Sequence, residues 1–190
     1  MLADLITSKT RVKILSLFLQ DVEEMYHVRE IVRRVDEEIN AVRRELILLD
    51  KKGLLNKEKR GNRVYYYFDK NYPFMNDLIR IHAKESGVGR DIIKNRVKLG
   101  NIKFAMASGK FIRGLSTKEE VDMLIVGIVV LPELQVIVKK EEERIGREIN
   151  YTVMSEEEFN FRKTRRDPFI YSIISGSRIM LIGDEEKFLS

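Results

Sequence analysis

Between Glu38 and Phe68, cationic and amide side chains recur at spacings that gather them on shared surfaces. If this stretch opens as a helix, Ile39, Val42, Leu46 and Leu49 share one face at 3-4-3 spacing, which suits burial. Asn40, Arg43, Arg44 and Ile47 then fall on or near the opposite face. Lys57, Lys59, Arg60, Asn62 and Arg63 follow on two strand-like runs joined at Gly61-Asn62. Arg43 and Arg44 have the chemistry to take a guanine edge or a phosphate, and Asn40 a base edge or a phosphate. Lys59, Arg60 and Arg63 suit a nucleic-acid backbone or a minor groove. Ser8 and Lys9 open an earlier helix, whose free N–H groups form a phosphate anchor. A different chemistry lies further on, where Glu120 and Asp122 stand two residues apart on a strand-like run, after Ser108-Gly109. On spacing alone, Val121 to Val130 reads as a buried strand with Glu120 and Asp122 near its exposed end.

An arginine pair on a helix is, taken alone, a solvated face. What gives this one meaning is the set of elements that must position it. Ser8 caps a helix to about Leu19, with Val12, Leu15, Phe18 and Leu19 inward. Asp21 to Glu24 turn, Met25 to His27 run extended, and Val28, Ile31, Val32 and Val35 mark a second helix. Asp36 or Glu37 breaks it. Glu38 to Lys52 form the third helix, stopped by Gly53. Leu54 to Arg60 and Arg63 to Phe68 complete a hairpin, with alternation of Val64, Tyr66 and Phe68 against Tyr65 and Tyr67.

Pro73 starts a helix to about Lys84, Gly87-Val-Gly89 interrupts it, and Arg90 to Leu99 resume it. Phe74, Leu78 and Ile81 form a stripe that either packs within its own subunit or serves as a dimer arm. From Ile102 the rhythm becomes strands separated by helices. Strands are expected at Ile102 to Ala107, Val121 to Val130, Glu148 to Met154 and Arg178 to Ile182. Helices are expected at Pro132 to Ile145, from the Ser155 capping box to Lys163, and from Asp167-Pro168 to Ile174. Glu141 to Glu143 and Glu156 to Glu158 read as solvated. Arg162, Lys163, Arg165 and Arg166 form a second basic cluster, placed either to touch DNA or to pair with those acids.

Charge separates the two halves. The chain of 190 residues carries net +5, with +3 in residues 1–70, +4 in 71–103 and −2 in 104–190. A basic front and a mildly acidic back favour a nucleic-acid partner for the front alone. Without cysteine, and with His27 and His82 as the sole histidines, a zinc site is excluded and a reducing cytoplasm is implied. The longest apolar run, Met123 to Leu131, is too short to span a bilayer and includes Gly127, and the N-terminus lacks a signal-peptide layout. No membrane partner is expected.

The order of three helices, a short strand between the first two, and a basic hairpin after the third resembles the winged-helix transcriptional regulators over residues 5–70. That resemblance implies a helix in the major groove of double-stranded DNA and a wing on its backbone. Its expected DNA-binding residues are Ser8, Lys9, Asn40, Arg43, Arg44, Lys59, Arg60, Asn62 and Arg63. One module reads a short half-site, so a homodimer is also expected.

Residues 102–183 resemble the minimal nucleotidyltransferase fold of the polymerase-beta superfamily, in which a Gly-Ser pair precedes a strand carrying Asp-x-Asp. A third carboxylate there completes a two-magnesium site that bridges nucleotide phosphates. The pattern here is degenerate: the pair reads Ser108-Gly109, the carboxylates are Glu120 and Asp122, and Asn150 takes the position aligned with the third acid, which Glu148 could supply instead. The expectation is a fold retained without catalysis, without metal and without a cofactor. The rival is an active transferase using magnesium and a nucleotide, with the winged helix as adaptor. The sequence thus predicts an α+β protein: a winged helix-turn-helix at 1–70, a helical linker at 71–101, and a small α/β nucleotidyltransferase-like domain with a mixed sheet at 102–190.

Overall fold

The structure is a computed structural model and describes residues 6–190. It divides into two compact units, Met1–His82 and Ala83–Ser190, with the division falling inside the expected 71–101 segment.

The first unit runs α1 (Lys9–Gln20), β1 (Met25–His27), α2 (Val28–Val35), α3 (Ile39–Lys51), β2 (Leu55–Arg60) and β3 (Arg63–Phe68). This is the expected order. Its three-stranded sheet is antiparallel, with β3 in the centre between β1 and β2. Ile14, Leu15, Phe18, Ile31, Val42, Leu46, Leu49, Leu55, Tyr66 and Phe68 are buried together in its core. Ile14 joins that core, whereas Val12 and Ile39 are half-buried. Asp36 closes α2 in a left-handed conformation, and Gly53 (φ 74) closes α3. Beyond α3, the N–H of Leu54 reaches Leu49 O and that of Gly53 reaches Asp50 O, both at 3.0 Å, which satisfies the last carbonyls. The hairpin turns at Gly61 (φ 58), where a residue without Cβ is favoured.

α4 (Met75–Glu85) spans the division, and α5 (Gly87–Lys94) follows. The helix breaks at Ser86-Gly87, where Gly87 has φ 52, as the sequence led us to expect, but the break is shorter than Gly87 to Gly89. Val88 and Gly89 are buried within α5, and a Cβ on Gly89 would lie 2.0 Å from Ala83 O. They serve close backbone packing. α5 also stops at Lys94, short of the expected Leu99, because Asn95 turns back and donates its amide to Asp91 O at 2.8 Å.

The second unit continues β4 (Gly100–Ser108), α6 (Gly109–Ile112), β5 (Met123–Val129), α7 (Leu131–Ile145), β6 (Tyr151–Met154), α8 (Glu156–Thr164), α9 (Pro168–Ser175), β7 (Arg178–Ile182) and α10 (Glu185–Leu189). Its sheet has the order β6-β5-β4-β7. β5 and β6 are parallel, whereas β4 is antiparallel to β5 and to β7, so the sheet is mixed as expected. Phe104, Phe159 and Phe188 pack ring against ring at centroid distances of 5.1 to 6.0 Å. Leu134, Ile137 and Val138 of α7 are inward as expected. Glu141, expected to be solvated, is 7% exposed and pairs with Arg144 Nη2 at 2.6 Å. It sits on the inward stripe of α7, one turn beyond Ile137, and its carboxylate lies against Gly87. No helix among the described residues is long and apolar enough to cross a membrane.

Candidate nucleic-acid interface

The buried stripe of α3 fixes what the helix shows outward. With Val42, Leu46 and Leu49 in the core, Asn40, Arg43, Arg44 and Ile47 are all exposed. The hairpin exposes Lys59, Arg60, Asn62 and Arg63 because β2 and β3 outrun the helices they pack on. Burial along β3 therefore begins only near Tyr65 and is strong at Tyr66 and Phe68. Val64, whose alternation placed it with the buried pair, is 37% exposed at the uncovered end.

α3 and the hairpin face each other across a cleft of about 590 Å³, lined by His27, Val28, Arg29, Arg43, Ile47, Asn62, Arg63, Val64 and Tyr66. Among the described residues, no carboxylate lines it. Of the expected contact residues it gathers Arg43, Asn62 and Arg63. Asn40, Arg44, Lys59 and Arg60 are exposed on the same elements but outside its lining, and Ser8 and Lys9 stand at the start of α1. Arg29 was missed by the sequence reading. The signal for it is non-local: β1 pairs with β3, His27 opposite Tyr65, and this brings the first turn of α2 to the wing. His27 fixes that turn by accepting the Glu30 N–H at Nδ1 (3.1 Å), and its ring meets Tyr65 edge-on at 5.7 Å.

Cations of this unit fall into two groups. Arg11 pairs with Glu45 at 2.8 Å, Lys13 with Glu37 at 2.7 Å, Arg34 with Glu30 at 2.9 Å and Lys57 with Asp50 at 2.6 Å. Arg60 makes a two-pronged contact with Glu58 at 2.9 and 3.2 Å. That hydrogen bond raises the Arg60 pKa and lowers that of Glu58. Among the described residues, no ion pair takes up Arg29, Arg43, Arg44, Lys59 or Arg63. These cations, without an ion pair among the described residues, lie on and around the cleft. Ser8 is engaged internally: its hydroxyl donates to Glu45 at 2.6 Å and accepts the Arg11 N–H at 3.2 Å. Burial raises the Glu45 pKa, but the hydrogen bonds from Arg11 and Ser8 outweigh it and hold the carboxyl below its usual range.

The second constellation has the opposite character. Asp122 immediately precedes β5 and is 0% exposed. Arg147 approaches its Oδ2 at 3.0 Å and Oδ1 at 3.3 Å, and the Asn150 N–H donates to Oδ2 at 3.0 Å. Arg147 also reaches Ser116 Oγ at 2.5 Å and Glu148 O at 2.9 Å, and lies 5.2 Å from the centre of the Phe111 ring. Glu120 is paired with Lys110 and accepts the Thr117 N–H at 3.1 Å. The hydrogen bond from Lys110 lowers its pKa. Asn150 donates its side-chain amide to Glu120 O at 3.1 Å. Its own carbonyl accepts the Asp122 N–H at 2.7 Å, an irregular link that delays β6 to Tyr151. Ser108 caps α6 through Phe111 N–H at 3.0 Å, and Gly109 admits Ser177, which would lie 2.3 Å from a Cβ there.

A magnesium–nucleotide pair needs several carboxylate oxygens free to converge on the cations. The donor set here does not fit that need, since both oxygens of Asp122 face Arg147, Glu120 faces Lys110, and the third position is an amide that donates. Among the described residues, no three His, Asp or Glu groups come together as a metal cage. The second basic cluster is also dispersed. Arg162 pairs with Glu158 at 2.7 Å, Lys163 donates to Phe188 O at 2.9 Å, and Arg165 stacks 4.6 Å over Phe161. Burial lowers the Lys163 pKa.

No family model and no curated protein matches the chain. Among solved structures, reduced HlyU from Vibrio cholerae N16961 is similar at 22% identity, covering 44% of this chain and 82% of its own, with a TM-score of 0.36. Human N-acetylserotonin methyltransferase in complex with SAM matches at 12% identity over 63% of this chain and 36% of its own, with a TM-score of 0.31. Neither likeness is close enough to carry a functional argument.

Proposed function

We propose that the chain is a sequence-specific regulator that binds double-stranded DNA through α3 and the β2–β3 hairpin. The observation that carries this reading is the cleft lined by Arg29, Arg43 and Arg63 with no carboxylate among its described lining residues, in a unit where many other cations are internally paired. Unpaired cations on one surface have electrostatic free energy to gain from a polyanion, because phosphate contact releases condensed counterions. An exposed helix face with Asn40, Arg43 and Arg44 supplies base-edge chemistry, and Lys59, Arg63 and Asn62 supply backbone contacts. Arg60 serves the backbone after exchanging Glu58 for phosphate. Recognition of a full operator by such a module calls for a second copy, and the bound sites are expected to carry an inverted repeat.

For the second unit we propose a nucleotidyltransferase-like scaffold without transfer activity. The pairing of Asp122 with Arg147 and the amide at Asn150 support the lack of transfer. Selection of bound duplexes from a random pool, followed by mobility shifts against cognate and scrambled DNA, tests the DNA reading. Cognate DNA should bind the wild type far more tightly than scrambled DNA. Equal affinity for both in the wild type would defeat it.

A further inference from the structure

The cleft between α3 and the wing holds one feature that cations alone do not explain. Ile47 is 59% exposed and lines the cleft together with Val64. It lies four residues after Arg43, so the two side chains are neighbours on one helix face. The stripe of α3 that builds the core is Val42, Leu46 and Leu49, and Ile47 lies outside it. An aliphatic side chain left more than half exposed beside Arg43, Arg63 and Asn62 gains only part of its burial from the fold. It gains from a ligand that presents apolar surface inside an anionic frame.

Duplex DNA offers one such group in its major groove, the 5-methyl of thymine, flanked by phosphates on the strand that carries it. The charge of the cleft matches the phosphates, and its aliphatic floor matches the methyl. Resting on the DNA-binding reading, we propose that Ile47 is a specificity-determining residue that contacts a thymine 5-methyl, with Arg43 reading the neighbouring base or phosphate. Val64 covers the same methyl from the wing side. The operator should therefore require thymine, rather than merely an A·T pair of either orientation, at the position Ile47 faces.

Deoxyuridine isolates this contact, because it keeps every hydrogen-bonding group of thymine and removes only the methyl. A duplex selected by the full chain would be scanned by replacing each thymine with deoxyuridine, and affinities measured for the wild type and Ile47→Ala. One thymine should be sensitive, losing about fourfold in the wild type, the loss expected for one methyl group removed from a buried contact. The same replacement should change little in Ile47→Ala. A uniform absence of methyl effects, or an equal loss in both proteins, overturns the inference while leaving the DNA reading intact. Failure to select any duplex overturns both. Because Ile47 is exposed, Ile47→Ala should melt with the wild type, and matching melting curves separate a lost contact from a lost fold.

Discussion

The two units treat charge in opposite ways. In the first, among the described residues, Arg29, Arg43, Arg44, Lys59 and Arg63 are left without ion-pair partners around a cleft that no carboxylate lines. In the second, Asp122 and Glu120 each have an internal cation, Arg147 and Lys110. An unpaired charge at a surface costs little while water covers it, and it remains available to a partner. A buried carboxylate cannot wait in that way, because desolvation demands a counter-charge within the fold. The contrast teaches that a charge satisfied at home is structural, whereas a charge left open at a concave surface is a candidate for binding.

The largest test of that contrast removes Arg43 and Arg44 together. A good bidentate base contact is worth about 1–3 kcal/mol of discrimination. The double Ala variant should therefore lose on the order of a thousandfold in cognate affinity while keeping its affinity for scrambled DNA within about tenfold. Both sites are exposed, so the melting temperature should hardly move. A variant that still separates cognate from scrambled DNA as the wild type does would remove α3 from the reading surface.

The mirror experiment is on the second unit. Arg147→Ala leaves Asp122 buried without its arginine partner, while the Asn150 N–H still donates to it. Stranding one member of a buried pair costs on the order of 3 kcal/mol, taken at the low end because Arg147 is itself partly exposed. Thermal unfolding should detect this, and DNA affinity measured well below the melting temperature should stay unchanged. If stability survives untouched, Arg147 is not the counter-ion that closes the site. Restored stability in Arg147→Ala with Asp122→Asn would confirm that the cost is electrostatic.

Much of this contrast was legible in the sequence, but unevenly. The apolar spacing of Val42, Leu46 and Leu49 fixes by geometry that Asn40, Arg43 and Arg44 point outward. Gly53 and Gly61 punctuate the helix and the hairpin where left-handed backbone is needed. Pairings across long sequence separations were not legible. Arg29 reaches the cleft only because β1 pairs with β3, and Arg147 meets Asp122 across 25 positions. Glu141 misled for a related reason: in the charged run Lys139 to Glu143 it reads as solvent-facing, yet its helical phase follows Ile137 inward. The glycines at 87 and 89 look like a linker in composition, and only the 2.0 Å approach of Ala83 O shows that Gly89 is there for packing.

Within the wing, Arg60 and Arg63 oppose each other in register but differ in their partners, since Glu58 holds Arg60 and no ion pair among the described residues holds Arg63. If open charge is what binds, the two should not be equivalent. Each phosphate contact contributes about 0.9 to the slope of log affinity against log salt. Arg63→Ala should lower that slope by about 1, and Arg60→Ala by less, because Arg60 first has to leave Glu58. Glu58→Gln should strengthen binding to scrambled DNA by freeing Arg60. Identical slopes in both alanine variants would show that internal pairing at an exposed position does not decide which cation binds.

The smallest expected effect concerns a cation of the first unit that is internally satisfied. Arg11 and Ser8 tie α1 to α3 through Glu45. Their hydrogen bonds outweigh the rise that burial causes, so the folded Glu45 pKa lies below the value of 4.5 expected without these contacts. A carboxylate with a lowered folded pKa contributes stability that is complete above its unfolded value and is lost as pH falls through the folded value. Wild type should therefore melt above Glu45→Gln at pH 7, by a few degrees at most for a partly exposed pair. The gap should narrow as pH drops below about 4.5, where the unfolded chain binds the proton first. A gap that stays constant into acid would mean that Glu45 holds the helices by shape rather than charge. A fall in DNA affinity in Glu45→Gln at neutral pH would mean instead that the α1–α3 tie sets the posture of the reading helix.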